Sequence, residues 1–193
     1  KQDSRIKIVT NSENLMISRT LNKGLNIASS DLIARMDADD IAFPNRLEKQ
    51  YLFMREKPEI TVCGSFTKII GTGNELRLPL VDKAIRAKLL FLNCIAHPST
   101  IMKKQKLMEH GGYSTQFHLT EDYALWVKLA EDPSVKFANI PESLLHYRII
   151  SGRKIRNRHE KEKSLYHIHK YQLEKLGLGS KADTLRHLKC VYI

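Results

Sequence analysis

The sequence predicts an α/β fold built on one mixed sheet with helices on both faces. Short apolar runs typical of strands alternate with stretches of helical periodicity between residues 5 and 50, which is the pattern of a doubly wound unit. Three acidic residues lie within four positions directly after the apolar run 32–36. Ligands of open α/β sheets bind at the carboxyl ends of strands, and the acids are expected at such an end.

The first elements follow from the spacing of apolar residues. Residues 5–9 alternate polar and apolar side chains and are predicted to form a strand. A helix is expected next, because apolar residues recur on one face: Leu21, Leu25 and Ala28. Residues 32–36 form a short apolar run, which favours a second and buried strand.

The following helix is predicted to begin at Pro44, whose fixed φ suits a first helical turn. Its buried stripe is expected to be Leu47, Tyr51 and Met54, and Pro58 ends it. Further strands are predicted at residues 60–63, 66–70, 94–102, 135–138 and 144–149.

Two later helices are predicted from their start signals. Asp82 is a suitable N-cap for a helix with the apolar face Ile85, Leu89 and Leu92. Thr120 is expected to cap a helix that carries two acids in its first turn. The glycines of residues 71–74 predict a turn between strands.

The acids Asp37, Asp39 and Asp40 form the most informative cluster of the chain. Like charges at this spacing repel each other, and a divalent cation is the simplest reason to keep them together. Mg²⁺ and Mn²⁺ prefer carboxylate oxygens and are often held by one or two acids plus substrate phosphates. The alternative is a polar turn in which Asp40 caps the next helix.

The chain resembles glycosyltransferase family 2, the inverting nucleotide-sugar transferases with a GT-A fold, over about residues 5–150. Matching motifs occur in the family's order: Asn22, Gly24, Ala28, Asp37-Ala38-Asp39-Asp40, Pro44, Arg46, His97-Pro98, Glu121-Asp122 and Tyr147-Arg148. The resemblance implies a GT-A-like domain over residues 1–150 and a basic helical extension over residues 151–193. The family places a βαβ unit of about 30 residues or more ahead of residue 5, so we expect the domain to be N-terminally incomplete.

The resemblance also implies roles for individual residues on the donor side. Asp39 would bind Mn²⁺ or Mg²⁺, and Asp37 would contact the ribose or phosphates of a nucleotide-diphosphate sugar. Further donor contacts are expected from Asn22, Gly24, Arg35 and Arg148. For Gly24 the alternative is a glycine merely tolerated in helix packing.

On the acceptor side, the resemblance implies that Asp122 is the general base and Glu121 a supporting acid. His97 would lie beside the acceptor, a saccharide or lipid-linked hydroxyl compound. The alternatives are structural. The helix dipole alone favours acids in a first turn, and most lone histidines serve packing.

Composition limits the remaining classes. The apolar fraction of 42% and the charged fraction of 27% are ordinary for a globular protein. No secretory signal or membrane-spanning run occurs in the sequence, and Cys63, Cys94 and Cys190 form no metal-binding or disulfide pattern. We therefore expect a cytoplasmic protein.

The positive charge is concentrated in the last segment. Residues 148–193 hold twelve lysines and arginines against four acids, a net +8 of the chain's +11. Leu165, Ile168 and Leu176 recur there at helical spacing, which Gln172 interrupts. A basic amphipathic helix is typical of proteins that bind an anionic membrane surface or a partner protein. The membrane surface expected here is the inner face of the cytoplasmic membrane. The alternative is a solvated helix packed on the domain.

Three other functions stay open at this point. The net charge permits nucleic-acid binding, but no nucleic-acid motif accompanies it, so we expect no nucleic-acid partner. A metal-dependent sugar nucleotidyltransferase would also use clustered acids, with a glycine-rich phosphate loop near the start. The third is a non-catalytic remnant of a glycosyltransferase.

Overall fold

The computed structural model describes residues 3–149 and 158–192. The strands are β1 (Leu32–Ala34), β2 (Ile41–Ala42), β3 (Val62–Ile69), β4 (Glu75–Leu76), β5 (Ile101–Lys103) and β6 (Phe137–Tyr147). The helices are α1 (Met16–Ile27), α2 (Arg46–Glu56), α3 (Asp82–Leu89), α4 (Lys104–Glu109), α5 (Glu121–Leu129), α6 (Arg158–Lys175) and α7 (Lys181–Tyr192), with a 3₁₀ turn at His97–Ser99.

The strands of this part of the chain form one mixed sheet in the order β1–β5–β3–β6–β2, with β4 added beside β3. The long central strands β3 and β6 are parallel, and the other pairs are antiparallel. The mixed sheet predicted from the sequence is therefore confirmed. The pairs predicted at residues 60–63 with 66–70, and at 135–138 with 144–149, are each one continuous strand.

Helices cover both faces of the sheet. Successive side chains of the central strands pack into two different cores, one on each face. Val62 and Phe137 pack into a core with residues of α1, α3, α5 and α6. Their neighbours Cys63 and Ala138 pack into a second core with Met54 of α2. Successive side chains of a strand point to opposite faces, so α2 lies alone among these helices on its side.

The basic extension packs on the domain. Ile168 of α6 is 2% exposed and belongs to the larger core. Ser164 donates a hydrogen bond to the carbonyl of His118 (2.9 Å), and Gln172 donates to the carbonyl of Leu89 (2.9 Å). The packed-helix alternative is thus realised for the inner face of α6, while Leu176 of the predicted stripe is 58% exposed.

Two predictions about elements are wrong. Residues 5–9 form no strand, since no other described segment pairs with them, and Ile8 is 78% exposed. The buried stripe of α2 is not Leu47, Tyr51 and Met54, because the first two are more than half exposed. The buried residues of α2 are Arg46, Gln50 and Met54; the two polar ones are buried because they bond to backbone carbonyls.

Two smaller differences concern single segments. The segment predicted as a strand at residues 94–102 is mostly a loop with a 3₁₀ turn, and only its end enters β5. The N-cap position of α3 is Val81, while Asp82 bonds to the backbone N–H of Phe137 (3.0 Å) and to Arg86.

Candidate active site

Residues 37–40, which we call the acidic turn, connect β1 to β2. Asp37 is half-buried and accepts two hydrogen bonds from the guanidinium of Arg35, at 2.8 Å from Nη1 and 2.5 Å from Nη2. Asp39 is also half-buried, and no described residue bonds to its carboxylate. Asp40 is 6% exposed. The three acids therefore occupy three different environments.

Asp40 fastens the acidic turn to the end of β6. The backbone N–H of Arg148 donates to Asp40 Oδ1 (2.8 Å), and Arg148 Nε donates to the carbonyl of Asp39 (2.8 Å). Asp40 Oδ2 is buried without a hydrogen-bond partner in the described residues. Burial raises the pKa of Asp40, and the charge of Asp37 adds to the increase. The alternative role of Asp40 as N-cap of α2 is wrong, because β2 intervenes and Asn45 holds that position.

The second acidic region is the first turn of α5. Glu121 is 7% exposed, and its Oε2 finds no hydrogen-bond partner in the described chain. Asp122 is half-buried and accepts hydrogen bonds from Asn93 Nδ2 and from the backbone N–H of Tyr123, both at 2.7 Å. Leu119 precedes them with φ of 64°, a left-handed conformation that costs a non-glycine residue roughly 1–2 kcal/mol. Such strain is common at functional sites.

Arg35 is the cation that pairs with the acidic turn. Its side chain is 10% exposed and pairs with Asp37. Burial raises the pKa of Glu121 and of Asp122, and the positive charge of Arg35 opposes the increase at both. The charge of Arg35 therefore influences acids that lie more than eighty residues apart in the sequence.

A cavity of about 200 Å³ opens beside Asp122. Its wall consists of Thr67, Leu76, Leu78, Asn93, Ile95, Ala96, His97, Pro98, Asp122 and Tyr147. Burial raises the pKa of Tyr147, and the charges of Asp40, Asp37 and Asp122 add to the increase. Tyr147 lines the cavity together with Asp122, and its neighbour Arg148 bonds to Asp40, so the end of β6 connects the cavity to the acidic turn.

His97 lines this cavity but is itself buried, with 4% of its surface exposed. Its Nε2 lies 2.7 Å from the hydroxyl of Tyr113 in a hydrogen bond, and its ring meets Trp126 edge to face at 5.7 Å. Burial holds the pKa of His97 well below its usual value. The ring is thus a neutral part of the wall, and its place beside an acceptor stays a prediction.

Asn22 and Gly24 lie on α1. Asn22 Nδ2 donates to the carbonyl of Tyr113, and the N–H of Tyr113 donates to Asn22 Oδ1, both at 2.8 Å. The neighbouring Gly112 has φ of 65°, and a Cβ there would lie 2.5 Å from Asn22 Oδ1. Asn22 therefore holds the loop of Tyr113. Gly24 is exposed, and a Cβ added there would meet no atom within 4 Å. Donor contacts of both residues stay predictions.

Four residues of this region carried no predicted role. Asn93 positions Asp122, and Tyr113 holds His97. Arg46 supports the end of β1, and Gln50 bonds to the carbonyl of Ser99 in the 3₁₀ turn. Arg46 was visible as part of the Pro-x-Arg-Leu motif, but nothing in the sequence indicated that its side chain is buried. Asn93 and Tyr113 lie in loops without periodicity, so no sequence signal marked them.

The residues fit a divalent cation only in part. Asp39 offers carboxylate oxygens without a competing bond from the described residues, which is the ligand type that Mg²⁺ and Mn²⁺ prefer. Across residues 3–149 and 158–192, however, no three His, Cys, Asp or Glu side chains converge into a group that could hold a metal ion. A cation at Asp39 would need most of its ligands from a bound phosphate and water.

Comparison with known proteins assigns the chain to a family. The sequence profile described as Glycosyl transferase family 2 matches residues 1–115, which is more than half of the chain. The chain belongs to glycosyl transferase family 2. Its GT-A-like fold is shared with the Staphylococcus aureus protein TarS in complex with UDP-GlcNAc, at a TM-score of 0.62 and 13% identity, over 89% of this chain and 50% of that one.

Curated relatives share more of the sequence. The O-antigen biosynthesis glycosyltransferase WbnJ of Escherichia coli is 38% identical over 76% of this chain and 58% of its own length. The amylovoran biosynthesis glycosyltransferase AmsE of Erwinia amylovora is 31% identical over 88% of this chain and 65% of its own. An Escherichia coli UDP-Gal:alpha-D-GlcNAc-diphosphoundecaprenol beta-1,3-galactosyltransferase is 34% identical over 64% of this chain and 46% of its own. The family 2 chain thus spans about half to two thirds of the length of these relatives.

None of the helices in the described ranges is both long enough and apolar enough to cross a membrane.

Proposed function

We propose that this family 2 chain transfers a sugar from a nucleotide-diphosphate sugar to an acceptor hydroxyl, with inversion, in surface polysaccharide biosynthesis. The observation that carries the proposal is the end of β6, where Tyr147 lines the cavity with Asp122 and the next residue, Arg148, bonds to the acidic turn. The names of WbnJ, AmsE and the galactosyltransferase support the substrate class.

The acidic turn is proposed to bind the donor diphosphate. A divalent cation at Asp39, Mn²⁺ or Mg²⁺, would neutralise the charge that develops on the leaving nucleoside diphosphate. Asp37 would contact the donor's ribose or phosphate region. Arg148, already bonded to the carbonyl of Asp39, is placed to add a charge-assisted hydrogen bond to phosphate.

Asp122 is proposed to remove the acceptor's proton. It borders the cavity, and its two hydrogen-bond donors, Asn93 and the Tyr123 N–H, hold its orientation. Partial burial raises its pKa, which makes the carboxylate a stronger base, because an efficient general base titrates near the working pH. Glu121 lies too deep for a role in contact with the acceptor and is proposed to support Asp122 from behind.

The cavity is proposed to receive one sugar ring of the acceptor. Its volume of about 200 Å³ suits a single ring, and the apolar side chains Leu76, Leu78 and Pro98 would pack against its C–H surfaces. Attack by one hydroxyl on the opposite side of the anomeric carbon from the leaving diphosphate inverts that centre, as in single-displacement glycosidases.

A screen of nucleotide sugars with Mn²⁺ tests the proposal. We expect transfer or slow hydrolysis of one donor, lost on addition of a chelator and lost in Asp39→Ala. The melting temperature should not change, because no described residue bonds to the half-buried Asp39 carboxylate. Full activity of Asp39→Ala would show that the acidic turn does not bind the donor.

The exposed lysines Lys161 and Lys163 of α6 are proposed to rest on an anionic membrane at the cytoplasmic side, where a lipid-linked acceptor would lie. Each lysine near such a surface contributes about 1 kcal/mol. Truncation would remove the buried Ile168, so point variants give a cleaner test. Lys161→Glu with Lys163→Glu should weaken binding to phosphatidylglycerol vesicles, and Arg55→Glu with Lys57→Glu at the end of α2, across the sheet, should not. Equal binding by both double variants would contradict the proposal.

A further inference from the structure

Helix α2 begins with a buried arginine. Arg46 is 2% exposed, and burial lowers its pKa to about 10, while the charge of Asp40 opposes the decrease. The guanidinium therefore stays charged at neutral pH. A buried charge destabilises a fold unless it is paired and hydrogen-bonded. The hydrogen-bond partners of Arg46 therefore indicate what this side chain does.

The partners of Arg46 lie where the acidic turn leaves the sheet. Nη2 donates to the carbonyl of Arg35 (2.6 Å) and to that of Thr100 (3.3 Å). The same carbonyl of Thr100 accepts the backbone N–H of Arg35 (3.0 Å). Arg46 thus stabilises the last contact of the β1 end with the chain entering β5.

Gln50 extends this anchor to the next strand. It lies one helical turn after Arg46, is 0% exposed, and accepts a hydrogen bond from Arg46 Nε (3.0 Å). Its Nε2 donates to the carbonyls of Ser99 (2.7 Å) and Cys63 (3.3 Å). The two side chains therefore tie α2 to β3 and to the 3₁₀ turn that carries His97.

Residues 35–46 form a loop closed by this contact. The side chain at its last residue bonds to the carbonyl of its first residue, and Asp37 and Asp39 lie between them. On the other side, the N–H of Phe43 donates to the carbonyl of Leu144 (3.1 Å). The acids are consequently held between two fixed points of the backbone.

We propose that Arg46 is a positioning residue, which with Gln50 fixes the loop 35–46 and thereby sets the place of Asp37 and Asp39 toward the donor diphosphate and its cation. This inference rests on the proposed function of the acidic turn. Arg46 itself is not proposed to touch the donor, since its side chain is buried and its Nε and Nη2 are engaged by Gln50 and by backbone carbonyls. Loss of the anchor should therefore weaken donor binding while the cavity beside Asp122 keeps its acceptor.

The test compares Arg46→Met and Arg46→Lys with the control Arg86→Met. Arg86 of α3 also holds backbone carbonyls, those of Ala130, Asp132 and Val135, but touches no residue of the loop 35–46. Binding of UDP in the presence of Mn²⁺ is measured by calorimetry, together with the KM values of donor and acceptor and the melting temperature.

We expect Arg46→Met to weaken Mn²⁺–UDP binding by about 10–100-fold, the usual effect of losing a support behind a metal ligand, and to raise the donor KM with the acceptor KM unchanged. Arg46→Lys can form only some of the hydrogen bonds of Arg46, so its affinity for Mn²⁺–UDP should lie between those of the wild type and Arg46→Met. Arg86→Met should lower the melting temperature and leave UDP binding unchanged.

The outcomes separate the two claims. A wild-type chain that neither binds Mn²⁺–UDP nor transfers sugar would refute the proposed function and the inference with it. A wild-type chain that binds UDP, together with a folded Arg46→Lys or Arg46→Met that binds it equally well, would refute the positioning role alone. If Arg46→Met does not fold, as shown by circular dichroism, Arg46→Lys decides.

Discussion

The acidic turn and the first turn of α5 are both acidic in sequence, but they differ in the surroundings of their carboxylates. In the turn, Asp37 is paired with Arg35 and Asp39 is half-buried without a bond from the described residues. At α5, Glu121 is almost fully buried, and burial raises the pKa of both Glu121 and Asp122. We propose that the first region holds the donor phosphates with a cation and that the second region exchanges a proton.

The comparison shows that residue type alone does not assign a role to an acid. Asp40 illustrates this within the turn. It lies beside Asp39 in sequence but is buried. Its carboxylate accepts a hydrogen bond from the N–H of Arg148 and so has a structural role.

The largest expected effect comes from removing the base. Asp122→Asn keeps the shape of the side chain and removes its basicity, so we expect turnover to fall by about 10²–10⁴-fold with donor affinity unchanged. Steady-state kinetics measures the turnover and the donor KM of this variant. The control is Asp31→Asn, which changes an exposed acid before β1. A matching loss of donor binding would mean that the start of α5 belongs to the donor site.

A smaller effect is expected from substitution of Arg35, whose charge influences the acidic turn and the first turn of α5. The positive charge of Arg35 lowers the pKa of Asp122, so Arg35→Met should let that pKa rise. The base is then lost at a higher pH, and the acid limb of the pH profile of kcat should move upward. Arg35→Lys keeps the charge and should move it less. An unchanged limb in Arg35→Met would show that Arg35 does not link the two regions.

The sequence predicted the framework of this comparison well. Strand and helix patterns gave the mixed sheet, and two residues of the family motifs, His97 and Asp122, line one cavity. The role of Asp39 beside them stays a prediction. The sequence did not predict which polar side chains are buried. Arg46 and Gln50 are polar in a helix whose apolar residues Leu47 and Tyr51 face outward, so periodicity pointed to the wrong face. Only the backbone carbonyls they bind, which belong to distant segments, explain their position.

The smallest expected effect is on stability. Burial raises the pKa of Glu121 above its unfolded value, so the folded state is disfavoured as the pH rises from the unfolded pKa toward the folded pKa. Glu121→Gln removes that ionisation and should raise the melting temperature at pH 7. The gain should disappear in acid, where the carboxyl is protonated in both states. Thermal melts across pH would contradict the account if the variant were less stable at pH 7.

The division of roles between the two regions is tested most directly by Mn²⁺-dependent binding of UDP, measured by calorimetry on Asp39→Asn and Asp122→Asn in parallel. These are isosteric changes of one acid in each region. We predict that Asp39→Asn loses the Mn²⁺-dependent part of binding and that Asp122→Asn keeps wild-type affinity. Equal affinities in both variants, or a loss confined to Asp122→Asn, would contradict the account.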